Sequence, residues 1–132
     1  MSTDVAVHCV VVTPEKTELD VHCDSVKLPM YDGELGVLPG RAPMVGRLGY
    51  GLMRLKSASG DQSWYVDGGF VQVTREGVYV LTNRLLKPDQ IDRQGAEEEL
   101  RKATEMVAKT PEARALRERA LEQARGKLKI SG

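Results

Sequence analysis

Apolar and polar residues alternate in short runs over roughly the first two thirds of the chain. In Val5 to Thr13, the residues Val5, Val7, Cys9 and Val11 fall on one face. That period of two marks a half-buried strand. Pro14-Glu15-Lys16 closes the run, and Leu19 to Leu28 follows with Val21, Cys23, Val26 and Leu28 apolar. Tyr31-Asp32-Gly33 reads as a turn and Glu34 to Leu38 as a short strand. Beyond the loop Pro39-Gly40-Arg41-Ala42-Pro43, strands are expected at Leu48 to Lys56, Gln62 to Val66, Phe70 to Thr74 and Val78 to Leu81. Ser59-Gly60-Asp61, Asp67-Gly68-Gly69 and Arg75-Glu76-Gly77 separate them, each rich in turn-forming residues. Many short strands with tight turns predict an antiparallel β-sandwich or flattened barrel.

The period changes after Arg84. Pro88 and Asp89 open a first expected helix, in which Ile91, Ala96, Leu100, Ala103, Met106 and Val107 recur at steps of three and four. Lys109-Thr110-Pro111 interrupts it, with Thr110 a good N-cap and Pro111 suited to the first helical position. A second helix aligns Ala113, Leu116, Ala120, Ala124 and Leu128. So short a break predicts an antiparallel hairpin. Its alanine-rich seam allows close approach but buries little area, so the hairpin is expected to be weakly held. The expected fold class is α+β: a sheet domain over residues 1–86 and a helical hairpin over residues 87–132.

Charge refines this picture. The chain has 132 residues, 19 basic and 19 acidic, and no formal net charge. That argues against a nucleic-acid partner, which calls for a surplus of Lys and Arg to displace phosphate counterions. The balance is uneven, however: residues 111–132 hold six basic and three acidic side chains, so +3. An acidic partner surface is the natural complement of that end. No stretch approaches 18 apolar residues, so direct membrane insertion is not expected. The N-terminus has no basic region followed by an apolar run, and no export signal is expected. Cys9 and Cys23 are then expected to be free, buried thiols.

Three segments carry a resemblance. Gly33-Glu34-Leu35-Gly36-Val37-Leu38-Pro39-Gly40-Arg41-Ala42-Pro43 resembles the best-marked segment of the epsilon subunits of bacterial F-type ATP synthases. Val12-Thr13-Pro14 is similar to the opening strand and turn of that family, and Gly68-Gly69-Phe70-Val71-Gln72-Val73 to another of its segments. All three stand in the family's order and spacing. The resemblance implies a non-catalytic rotor subunit in the central stalk, peripheral on the cytoplasmic face of the bacterial plasma membrane. Its partners would be the gamma subunit, the c-ring and the alpha and beta subunits of the catalytic head. It implies that Asp32, Glu34 and Arg41 are candidates for contact with the c-ring or gamma. It also implies that the hairpin opposes ATP hydrolysis when raised, with Arg114, Arg117, Arg119 and Arg125 as candidates to meet an acidic loop of beta. Some members bind ATP through an Ile-Asp-x-x-Arg-Ala motif. Here Ile91-Asp92-Arg93-Gln94-Gly95-Ala96 puts Gly95 in place of the arginine, so no cofactor is expected.

Two other readings are weighed against this one. A stand-alone β-sandwich that binds a small ligand or nucleotide is the main alternative. A metal or thiol site built from His8-Cys9 and His22-Cys23 is the other. Neighbouring strand residues point to opposite faces, so those four side chains are not expected to converge. The aromatic residues Trp64, Tyr65 and Phe70 are expected in the core or at a subunit interface.

Overall fold

A computed structural model describes residues 6–131. Eight strands come first: β1 (Val7–Val12), β2 (Thr17–Cys23), β3 (Ser25–Met30), β4 (Gly33–Val37), β5 (Met44–Ser57), β6 (Gly60–Val73), β7 (Gly77–Thr82) and β8 (Leu85–Leu86). A 3-10 turn at Pro88–Gln90 leads to α1 (Arg93–Glu105) and α2 (Pro111–Ser131). The strands form one open sheet in the order β2-β1-β7-β6-β5-β3-β4, with β8 paired to β6. The sheet curls over itself, so that β1 meets β3 and β2 meets β5 across the interior. All pairings are antiparallel except β1 with β7, which is parallel.

The alternation read from the sequence is what fills the interior. Val7, Cys9 and Val11 of β1 point inward against Val26 and Leu28 of β3, Val37 of β4, and Val78 and Val80 of β7. Each large apolar side chain so buried contributes roughly 2 kcal/mol. Both cysteines are free and buried in this core. Burial pushes the Cys9 thiol up to about 12, with Cys23 nearby adding to the effect.

Strand boundaries differ from the alternation at two places. The run Leu19 to Leu28 is two strands, divided at Asp24, whose N–H donates to the Lys56 carbonyl at 2.7 Å. Asp67-Gly68-Gly69 is not a connection: β6 runs unbroken through it. Its pairing with β5 keeps one register from Met44↔Val73 to Ser57↔Gly60. What changes there is the phase. Trp64 and Val66 face the core before the glycines, and Val71 and Val73 after them. A strand of strict period two cannot place both pairs on one face. Gly68 and Gly69, at φ 71° and 120°, absorb the extra half-turn of the pleat, which no residue with a Cβ does cheaply. On β5 the same inversion separates Leu48 from Met53 and Leu55. The paired strands therefore kink together and serve both halves of the sandwich.

The helices also depart from the expected limits. Pro88 and Asp89 belong to the 3-10 turn, closed by the Gln90 side chain accepting from the Lys87 N–H at 2.7 Å, and α1 begins only at Arg93. Met106 and Val107, expected on its apolar stripe, lie beyond its end and are exposed. Thr110 caps α2, accepting from the Ala113 N–H at 3.1 Å. Leu116 was expected in the seam but is 62% exposed, because α2 divides its surface between α1 and the sheet. Ala96, Ala103 and Ala124 are buried, and α1 packs on α2 rather than on the strands.

Candidate functional site

Once the kink has turned β6, Phe70 faces outward where the preceding phase would have buried it. The cross-strand register builds a row around it. Arg47 of β5 lies opposite Phe70, Phe70 opposite Leu81 of β7, and Leu81 beside Val12 of β1. The next row runs Val45, Gln72, Tyr79 and Val10. Val45 is 72% and Phe70 61% exposed, and Leu81 is more than half exposed. Isolated exposed apolar side chains are ordinary, but several in register form a patch with the character of an interface.

Polar groups frame the patch. The Arg47 guanidinium lies 4.3 Å over the Tyr31 ring, a cation–π contact that holds both at the rim. Tyr31, Asp32, Glu34, Met44, Val45 and Arg47 line a groove of about 500 Å³ between the β3–β4 turn and the start of β5. At the far end, His8 stacks on His22 with centroids 4.5 Å apart and meets the edge of Tyr79 at 6.2 Å. His8 Nε2 lies 2.5 Å from Asp20 Oδ1. The two histidines thus stand outside while Cys9 and Cys23 point inward. Among the described residues, no three His, Cys, Asp or Glu side chains group as metal ligands. A second groove, of about 1000 Å³, has Val12, Phe70 and Leu81 on its floor and Ala115, Arg119 and Glu122 of α2 on its roof.

The candidates from sequence fall into separate groups. Asp32 and Glu34 share the smaller groove, both exposed. Arg41 lies off it in the 38–43 loop, its guanidinium 3.8 Å from Met44 Sδ. Arg114, Arg117 and Arg125 share one side of α2, and Arg119 lies on another, over the larger groove. Arg117 donates to the Thr104 carbonyl at 3.4 Å, and the other three are exposed. Of the aromatic residues, Trp64 is in the core, Tyr65 is buried beneath α2 and Phe70 is on the exposed patch.

Sequence reading missed the patch, although its signal was present. Val71 and Val73 alternate in phase with the core, which leaves Phe70 on the polar phase. It also missed Asp67, read as a turn residue but 4% exposed. The Asp67 carboxylate accepts from the Tyr65 hydroxyl at 2.9 Å and from Gln123 Nε2 at 3.3 Å, with Arg84 Nε 3.6 Å away. Burial, then the charge of Asp67, pushes the Tyr65 hydroxyl pKa up. No helix here is long and apolar enough to cross a membrane, among the described residues.

Comparisons with known proteins bear on the whole chain. Residues 6–88 match the family model described as ATP synthase, Delta/Epsilon chain, beta-sandwich domain. The ATP synthase epsilon chain of Rhodopirellula baltica is 50% identical over 127 residues, covering 96% of this chain and 99% of that protein. The sodium-ion-specific epsilon chain of Propionigenium modestum is 32% identical, covering 92% of this chain and 90% of that one. A chain in the Euglena gracilis mitochondrial ATP synthase structure (OSCP, F1 and c-ring) superimposes with a TM-score of 0.81 at 20% identity. It covers 96% of this chain and 81% of that one. A chain of the Tetrahymena thermophila central stalk and c-ring structure gives 0.74 at 14%, covering 96% of each. Both structures share the fold.

Proposed function

The chain belongs to the ATP synthase epsilon chain family, and from that membership we propose that it is a non-catalytic subunit of the central stalk, coupling ion-driven rotation of a c-ring to ATP synthesis. The observation that carries the reading is the exposed pair Phe70 and Leu81, in register with Arg47 and the half-buried Val12. A rigid sheet with an apolar outer face suits a part that transmits torque, because a packed sheet deforms little under load. In this reading gamma covers the apolar face. Asp32 and Glu34, in the adjoining groove, meet polar loops of the c-ring, and Arg41 lies at the edge of the same contact. The subunit sits peripherally on the cytoplasmic face of the membrane.

The hairpin supplies regulation. Arg114, Arg117 and Arg125 share one side of α2, so a raised α2 presents three cations together to an acidic loop of a catalytic beta subunit. Arg117 exchanges the Thr104 carbonyl for that partner. Arg119 faces elsewhere and contributes less. Gly95 replaces the arginine of the motif by which related chains hold ATP, and a Cβ there would meet Asp92 Oδ2 at 2.7 Å. The docked hairpin accordingly works without a bound nucleotide.

Binding to purified gamma tests the central reading. Phe70→Asp is expected to weaken it by about thirtyfold, the loss typical of a central apolar anchor. Val107→Ser, an exposed apolar position off the patch, is expected to leave it unchanged. Equal affinity for the parent chain and Phe70→Asp would remove the patch from the interface. Failure of the parent chain to bind gamma at all would favour a stand-alone module.

A further inference from the structure

Among the described residues, one side-chain hydrogen bond joins the two helices to the sandwich, and it ends on a carboxylate. Asp67 Oδ1 accepts from Gln123 Nε2 at 3.3 Å, while the remaining helix bonds to other elements run between α1 and α2. Asp67 is prepared for that bond from its own side of the molecule. The Tyr65 hydroxyl donates to the same oxygen at 2.9 Å. The Asp67 backbone N–H donates to Thr82 Oγ1 at 2.9 Å, and the Asp67 carbonyl accepts from Asn83 Nδ2 at 3.0 Å. Arg84 Nε stands 3.6 Å from Oδ2. A carboxylate held this way keeps its position whether or not the helix is present, so little ordering is lost when the helix arrives.

The helix is shaped to meet it. Gln123 and Gly126 are three residues apart and share one side of α2. Gly126 lies against β5 and β6, where an added Cβ would stand 2.9 Å from the Tyr50 carbonyl oxygen and 3.3 Å from the Tyr65 ring. Tyr65 therefore serves twice: its ring supports the helix backbone at Gly126, and its hydroxyl orients Asp67 toward Gln123. Lys127, also mostly buried, reaches Glu99 of α1 at 3.2 Å, so α1 follows α2. The first half of α2, by contrast, stands over the open groove above Phe70 and Leu81.

We propose that Asp67 is the catch that holds the hairpin on the sandwich, that Gln123 is the group it grips, and that Gly126 is the contact that lets the grip close. Removing this short segment of α2 from Asp67 releases both helices as a unit. The proposal concerns docking within the chain and holds or fails independently of which partner the released hairpin meets.

Amide hydrogen exchange on the full chain tests it. Gln123→Glu puts a second carboxylate against Asp67, and exchange across α2 is expected to quicken about tenfold while β1 and β7 keep their protection. Gly126→Ala is expected to act in the same direction through the Tyr50 carbonyl. The exchanged pair Asp67→Asn with Gln123→Glu rebuilds an amide–carboxylate bond with its polarity reversed. It is expected to return α2 toward the parent rate, which no merely structural role of either residue would do. The proposal is overturned if Gln123→Glu and Gly126→Ala both leave α2 at the parent rate. It is equally overturned if the exchanged pair, with β1 and β7 still protected, is no slower than Gln123→Glu.

Discussion

Gly69 shows how much one missing methyl group decides. A Cβ built there would lie 1.8 Å from the Leu81 carbonyl oxygen, at a φ of 120° that L-residues rarely adopt. Backbone opposes it on both counts, so Gly69→Ala is expected to cost about 3 kcal/mol or more in urea unfolding. Cys9 offers a prediction of another kind. Its thiol stays neutral in the fold up to about 12, against a usual 9.0. Above pH 9 the unfolded chain releases a proton that the folded chain keeps. The stability tied to the neutral thiol is thus complete below pH 9 and is lost as pH rises from 9 toward 12. Melting temperature is expected to fall through that range, and Cys9→Val to flatten the fall. Equal slopes for parent and variant would count against it.

At the scale of elements, β6 and the hairpin contrast. The strand is held on both sides, by β5 along its whole length and by β7 and β8 in turn. The hairpin buries alanines, and α1 packs chiefly on α2. Amides in α1 are therefore expected to exchange at least about tenfold faster than those in β1 and β7, and equal protection would refute the weak seam. Gly95 adds to the looseness of α1. Gly95→Ala is expected to stabilise that helix by about 0.5–1 kcal/mol, provided the Asp92 carboxylate swings aside, and slower exchange confined to α1 would verify it. Part of this was legible beforehand. The Thr110 cap was legible because its partner is three residues away, whereas of the expected α2 stripe only Ala124 is buried, since the seam depends on how α1 comes to lie on α2. The end of α1 was not legible, because Met106 and Val107 continue the apolar period and only the turn toward α2 carries them out of the helix.

The whole molecule has two cores of unequal weight. The large one, from Val7 to Val80, contains no helix residue. The smaller one lies under α2, around Tyr65 and Gly126. A chain lacking residues 88–132 is accordingly expected to fold cooperatively and still bind gamma, while the assembled complex hydrolyses ATP at an altered rate. Loss of assembly on that truncation would refute a purely regulatory hairpin. The sandwich face proposed to meet gamma and the hairpin proposed to regulate are thus separable, with Asp67 at their junction.

From sequence alone came the sheet followed by two helices, the inward residues of β1, β3 and β7, the free thiols and the segments shared with a known family. These depend on alternation, caps and turn chemistry, which act over a few residues. Only the tertiary structure decided that Asp67-Gly68-Gly69 is a kink rather than a turn, that Phe70 and Leu81 form one exposed row, and that Asp67 meets Gln123 across 56 positions of chain. The reason is that a strand's phase and a side chain's partner are set by which backbone lies alongside it. No local pattern specifies that neighbour until the sheet has curled and α2 has come to rest on it.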